Sequence, residues 1–331
     1  MAPNLINRVT IFVLVFMLTI AFSMAGKEAA AVQSRVENSS TIIDQSGRRL
    51  DIKKSFKRII SLYGAHTENL FNLGLNKEII GVSRHETYPP EASHKPAFSY
   101  HDDPERFIAA RPDLVIIRPM IDRGYPQFVS ALEKSGITIV SLQPDTVGNM
   151  HTYWHILGIL SGTRQRATTM ISQFNTAVSN YRALTKSKST KKRVYFEAIH
   201  SKMKTFAPHS MAAFALETAG GINIASDAKP VRNTNIAYYG KERILSHASE
   251  IDVYLAQSGA MNQPSVELIK NEPGFNAIKA VAANQIFIID EQIVSRPTLR
   301  LLKGIYEIGR ILYPNLYGVN AYAILQRATG F

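Results

Sequence analysis

The sequence predicts an α/β protein of two lobes, each a mainly parallel sheet flanked by helices, joined by a long helical connector. Three observations predict it. Apolar, β-branched runs such as Arg58–Leu62, Asp113–Ile117 and Ile137–Leu142 alternate with helix-like patterns, and unbroken runs of that kind suit strands buried on both faces. From Val147 to about Thr185 no strand signal interrupts the chain, and Trp154, Leu157, Leu160, Met170, Phe174 and Val178 recur at roughly helical spacing. Beyond that stretch the strand and helix alternation resumes.

Taken in order, the chain opens with Arg8, an apolar run from Val9 to Phe22 and a small-residue exit at Ser23, Met24 and Ala25, the layout of a secretory signal over residues 1–25. The run is shorter than the roughly 20 residues of a spanning helix. Residues 26–40 are small and polar and read as a flexible leader. The first lobe, 41–146, begins with a hairpin, Thr41 to Ile52, around Gln45, Ser46 and Gly47. Strands follow at Arg58–Leu62, Glu78–Val82, Asp113–Ile117 and Ile137–Leu142, with helices at Thr67–Leu73, Pro104–Ala110 and Gln127–Ser135. The connector spans 147–187, where Gly158 and Gly162 are candidate breaks. The second lobe, 188–331, carries strands at Arg193–Ala198, Asp252–Ala256 and Gln285–Asp290, helices at Ala212–Ala219 and Val266–Lys270, and a closing helix from Leu301 to near Pro314.

The chain of 331 residues has no Cys, so an exported form has no disulfides and depends on its core. It also lacks the cysteine by which many exported proteins are lipid-anchored. Export without an anchor places it in the periplasm, soluble and monomeric. Without Arg8, 37 basic side chains face 26 acidic ones. The excess favours anionic partners, but Lys and Arg are dispersed, and export argues against nucleic acid. The one dense basic run, Lys186–Arg193, reads as a solvated connector. No GxSxG, P-loop or HExxH motif is present, and the nearest thing to a catalytic cluster, His101-Asp102-Asp103, sits where it caps the helix at Pro104. An enzyme is not expected; a periplasmic hydrolase is the distant alternative.

RIISLYGAHTENLFNLGL (Arg58–Leu75), IIGVSRHETYPPEA (Ile79–Ala92) and PERFIAARPDLVII (Pro104–Ile117) resemble the helical-backbone, class III solute-binding proteins of ABC importers for iron-siderophore complexes, haem and cobalamin. LETAGGINIA (Leu216–Ala225), YGKERILSHASEIDVYLA (Tyr239–Ala256) and PGFNAIKAVAANQIFIID (Pro273–Asp290) extend the likeness over nearly all of the exported chain. The resemblance implies a stiff pair of lobes joined by a single long helix, ligand in the cleft between them, and an inner-membrane permease and ATPase as partners. It also implies that one surface Glu per lobe pairs with permease arginines; the matching positions are Glu105 and Glu242.

Ligands of open α/β sheets bind beyond the carboxyl ends of the strands. The loops there carry Tyr63, His66, Arg84, His85, Tyr88, Tyr100, Arg118 and Arg123 in the first lobe and His200, Lys202, Arg232 and Arg296 in the second, the candidate ligand contacts. Arginine's planar fork suits carboxylate, catecholate or phosphate oxygens, so the expected ligand is an anionic small-molecule metal complex such as a ferric siderophore. Cobalamin, haem and a metal ion bound directly are the alternatives. No intrinsic cofactor or metal site is expected. His151 and His155 have ligand-like spacing, but beside Trp154 they suit packing.

Overall fold

The computed structural model describes residues 40–84, 86–232 and 234–330. The expected signal, the leader up to Ser39 and His85 lie outside the described residues. The chain divides into two compact units, one ending at Ser55 and the other beginning at Phe56.

The first unit holds the expected hairpin, β1 (Ser40–Ile43) antiparallel to β2 (Arg49–Ile52). Its turn is built by the Asp44 carboxylate, which accepts from the N–H groups of Ser46 and Arg48 at 2.9 Å each. Gly47 supplies the φ of 84° that such a turn needs and that costs glycine little.

The second unit contains two sheets. The first is formed by β3 (Ile59–Ser61), β4 (Ile79–Ser83), β5 (Ala97–Phe98), β6 (Leu114–Ile117) and β7 (Thr138–Ser141), all parallel, in the order β5-β4-β3-β6-β7. Connections run outward from β3 through β4 to β5 and then return to β6 on the other side, which leaves a switch point between β3 and β6. Its helices are α1 (Gly64–Asn72), α2 (Pro104–Ala110), α3 (Pro119–Gly124) and α4 (Pro126–Lys134). Ile60, Val115, Ile117 and Ile139 of the sheet pack with Phe107, Phe128 and Leu132 of α2 and α4. α3 has no counterpart in the sequence reading, where Arg118–Tyr125 is a loop; Pro119 at its first position starts it.

The connector is two helices, α5 (Val147–Ser161) and α6 (Arg164–Leu184), where one was expected. Gly162, in the left-handed region at φ 76°, ends the first. Gly158 does not break α5; its missing side chain lets α6 approach, since a Cβ there would meet that of Ala167 at 2.8 Å.

The second sheet contains β8 (Arg193–Ile199), β9 (Lys204–Phe206), β10 (Ile222–Asn223), β11 (Lys229–Pro230), β12 (Ile236–Tyr238), β13 (Val253–Ser258) and β14 (Ile286–Asp290). β8, β13 and β14 are parallel neighbours, as expected, and the unexpected two-residue β10 adds to them in parallel, but β9, β12 and β11 continue the sheet antiparallel, so it is mixed. The reversal lies at His200–Lys202, a short 3-10 turn closed by Met203 at φ 46°. Its helices are α7 (Met211–Thr218), α8 (Lys241–Ser246), α9 (Val266–Lys270), α10 (Lys279–Ala282), α11 (Glu291–Val294), α12 (Leu301–Leu312) and α13 (Val319–Thr329). The closing helix α12 is thus not the last; α13 follows it and packs on α6. No helix among the described residues is long and apolar enough to cross a membrane.

One segment ties the second sheet to α1 and α5. The Pro297 carbonyl accepts from Asn69 Nδ2 at 2.9 Å and Trp154 Nε1 at 3.2 Å. Three residues on, Arg300 grips the fully buried Glu68 carboxylate through Nε at 2.9 and 3.0 Å and Nη2 at 2.6 Å.

Candidate ligand-binding site

A cavity of about 390 Å³ lies at the carboxyl ends of both sheets. Every wall is a strand exit. Leu62, Tyr63 and Gly64 follow β3; Ser83, Arg84 and Glu86 follow β4; Phe98, Ser99 and Tyr100 close β5; Arg118 follows β6. Ala260 after β13 and Glu291, Ser295 and Arg296 after β14 complete it. The cavity therefore opens on the β3/β6 switch point, where two adjacent strands send their chains in opposite directions and leave a crevice.

Tyr63 and Arg118 flank that crevice, the Arg118 guanidinium carbon 4.7 Å from the Tyr63 ring centroid. Burial pushes the Tyr63 phenol up, with Arg118 and Arg296 acting in the opposite sense. Arg118 donates to Met120 Sδ at 3.0 Å, no carboxylate pairs with it among the described residues, and its Nε is buried without a partner. By contrast, Arg84 is neutralised by Asp102, which also holds Arg106 at 2.6 Å. Burial pushes the Asp102 carboxyl up, but the Ser99 N–H and the two arginines outweigh it and hold it below the ordinary range. Arg296 is intermediate, its Nη1 3.9 Å from Glu86 Oε2. Burial pushes the Glu86 carboxyl up, against the Ser83 hydroxyl that donates to it and the nearby Arg296. Gly64 makes room for this pair, since a Cβ there would run into both the Arg296 guanidinium and the Glu86 carboxylate. Glu291 accepts the Ala260 N–H at 3.1 Å, and Ser295 donates to Gln257 at 2.9 Å, so the second-lobe wall is internally fixed.

Of the expected contacts, Tyr63, Arg84, Tyr100, Arg118 and Arg296 line this cavity together. The others do not. His66 is fully buried, its Nδ1 2.7 Å from Tyr153 Oη and its Nε2 3.3 Å from the Ile117 carbonyl, and burial drives its pKa down to about 3. It is a core histidine because α1 starts three residues earlier than the sequence pattern suggested, which turns position 66 inward. Tyr88 lies beneath Arg300, the guanidinium carbon 3.9 Å from its ring centroid, and burial pushes its phenol up to about 12. Arg123 is exposed on α3, and Arg232 is exposed in the turn between β11 and β12. Lys202 is exposed in the turn after β8.

His200 is withdrawn for a different reason. The reversal at His200–Lys202 folds it back onto Glu197, 2.8 Å from Nδ1, with Glu272 3.6 Å from Nε2. The hydrogen bond to Glu197 raises the His200 pKa. Asn262 accepts from the His200 backbone N–H and donates to Glu197, so the exits of β8 and β13 are bonded to each other. Glu86 and Glu291 are the charged lining residues missed by reading cations alone; Glu291 directly follows β14 and Glu86 lies in the loop after β4, the signal that picked out the arginines.

Glu105 is exposed in the first turn of α2, where its N–H is capped by Asp103 at 3.0 Å, and Glu242 is exposed in the first turn of α8. Among the described residues no group of three or more His, Cys, Asp or Glu is placed to hold a metal ion. His151 packs against Trp154 and Phe174.

Two α/β sheets whose carboxyl ends share one small-molecule-sized cavity define a two-lobed solute-binding architecture. The periplasmic binding protein family profile matches residues 59–293, and the chain belongs to that family. It is 23% identical over 88% of its length, and 91% of the relative's, to an uncharacterized ABC transporter substrate-binding lipoprotein of Bacillus subtilis. It is 27% identical to a vitamin B12-binding protein of Vibrio campbellii, covering 76% of this chain and 88% of that one. A crystal structure from Staphylococcus epidermidis, described as that of a possible iron-binding (periplasmic solute-binding) protein, superposes with a TM-score of 0.69 at 24% identity, over 78% of this chain and 100% of the other.

Proposed function

We propose that this chain is the substrate-binding component of an ABC importer, working in the periplasm, and that the cavity receives an anionic metal chelate such as a ferric siderophore. One observation carries the choice of ligand: among the described residues Arg118 stands at the switch point with no carboxylate partner and a buried, unsatisfied Nε. A buried donor without an acceptor is costly, and a ligand oxygen would satisfy it. Arg296, only loosely engaged by Glu86, supplies a second fork on the opposite wall. Tyr63 and Tyr100, half-buried in the lining, offer aromatic surface to a chelator ring. The relatives named as binding proteins support a carrier over an enzyme.

The relative named for vitamin B12 makes cobalamin the competing cargo. Calorimetry with ferric catecholate and ferric citrate complexes, cyanocobalamin and haem separates them. Arg118→Ala and Arg296→Ala each weaken the ferric chelate by about 1.5–3 kcal/mol, the range for a hydrogen bond to a charged group. Cobalamin binding that both variants leave unchanged, with no response to ferric chelates, overturns the anionic reading while leaving the carrier role. Delivery follows when the exposed Glu105 and Glu242 meet arginines of the permease, whose ATPase drives release.

A further inference from the structure

A second pocket lies at the other end of the second sheet. β8, β13 and β14 run parallel, so their carboxyl ends meet the cavity and their amino ends lie away from it. The basic run that precedes β8 is at that far end. There Lys188, Lys191 and Lys192 line a pocket of about 400 Å³ together with Asp252, Tyr313 and Leu316.

The pocket's charge is unbalanced. Its three lysines are exposed and form no ion pair within 4 Å among the described residues. Burial pushes the Asp252 carboxyl up, but Lys192 is near enough to help hold it below the ordinary range. The carboxylate in the lining, Asp252, is already engaged: it accepts from the Arg193 N–H at 2.9 Å and from Lys279 Nζ at 2.7 Å. The carboxyl end of α6 favours Lys188 through its dipole, but Lys191 and Lys192 lie beyond that end. The floor is rigid and apolar. Tyr313 Oη accepts the Lys192 N–H at 2.9 Å and donates to the Gly220 carbonyl at 3.0 Å, which fixes the ring, and Lys188 Nζ stands 5.7 Å from its centroid.

We propose that this pocket is an anion site that takes a phosphate-bearing group, independent of the cargo cavity. Ammonium groups on flexible stems suit the spread charge of a phosphate, whereas a planar carboxylate is better matched by a guanidinium fork, and the lining contains none. The phosphate can belong to a free phosphate ester or to a phospholipid head group at a membrane surface.

The test uses the full exported chain and a Lys188→Gln/Lys191→Gln/Lys192→Gln variant at about 0.01 M ionic strength, where screening reaches only beyond about 30 Å. Probes are pyrophosphate in calorimetry and co-sedimentation with phosphatidylglycerol or phosphatidylcholine vesicles. Wild type binds pyrophosphate, phosphatidylglycerol vesicles or both, and the variant binds about a hundredfold more weakly, at about fivefold per lost charge. Pyrophosphate binding identifies a free phosphate ligand; phosphatidylglycerol binding without it identifies the head group. Arg118→Ala leaves either binding unchanged. The proposal is overturned if neither probe binds wild type, if the glutamine variant binds like wild type, or if Arg118→Ala alone removes binding. A triple lysine-to-arginine variant guards against misfolding: it keeps the charge and must keep binding, and its loss of binding also sinks the proposal.

Discussion

His66 offers a quantitative test of the described interior. In the folded chain it is fully buried against Tyr153 and the Ile117 carbonyl, with a pKa near 3 instead of the ordinary 6.5. A base with a depressed folded pKa makes the unfolded chain bind the extra proton below pH 6.5, so stability falls as pH drops from there toward 3. At about 1.36 kcal/mol per pH unit, linkage gives a loss of about 2 kcal/mol between pH 8 and pH 5, and about 4 kcal/mol by pH 3. His66→Gln removes this titration while leaving a side chain able to bond Tyr153. Denaturant unfolding of both proteins at pH 8 and pH 5 measures it. Whatever the substitution costs at pH 8, the difference shifts toward the variant by about 2 kcal/mol at pH 5. A difference that stays within about 0.5 kcal/mol across that range refutes the buried neutral imidazole, and with it the account of why position 66 is unavailable to a ligand.

Three further outcomes follow from particular contacts. Glu68→Gln leaves Arg300 buried with no full counter-charge and lowers stability by about 3–5 kcal/mol, whereas Glu68→Leu with Arg300→Met costs much less; a double-mutant cycle in urea checks the coupling, and a coupling near zero removes the claim. Gly64→Ala meets only the ends of flexible side chains, so unfolding shifts by less than about 1 kcal/mol, while displacement of Arg296 and Glu86 weakens ligand about tenfold in calorimetry. Glu105→Lys with Glu242→Lys abolishes uptake in cells and leaves ligand affinity in solution intact; normal uptake by that pair excludes the docking role.

Much of the fold was legible because its central strands are unbroken apolar runs. β3, β4, β6, β7, β8, β13 and β14 each fill one, and each is followed by a helix or a turn with its own signal. β9, β11 and β12 were not legible. They are two or three residues long and carry Lys204, Pro230 and Tyr238, too short for any periodicity, and only pairing makes them strands, β9 with β8, β12 with β9 and β11 with β12. α3 was hidden in a loop rich in charge, whereas the break at Gly162 was legible as one of two candidate glycines, of which Gly158 does not interrupt its helix.

The candidate site divides in the same way. By itself the sequence determined that arginines and tyrosines cluster after strand ends, because strand ends are local features. It could not say which of those loops meet. Tyr63 and Arg118 are brought together by the order of β3 and β6 in the sheet, which is a long-range property of the chain. His66 and His200 differ from them only in what lies around them: one is enclosed by Tyr153, the other folded onto Glu197 by a backbone reversal. Whether an arginine is free for a ligand was likewise decided by its counterion, Asp102 for Arg84, Glu68 for Arg300 and none for Arg118 among the described residues. Charge balance within a cavity depends on distances of a few ångströms across elements far apart in sequence, and only the tertiary structure sets those.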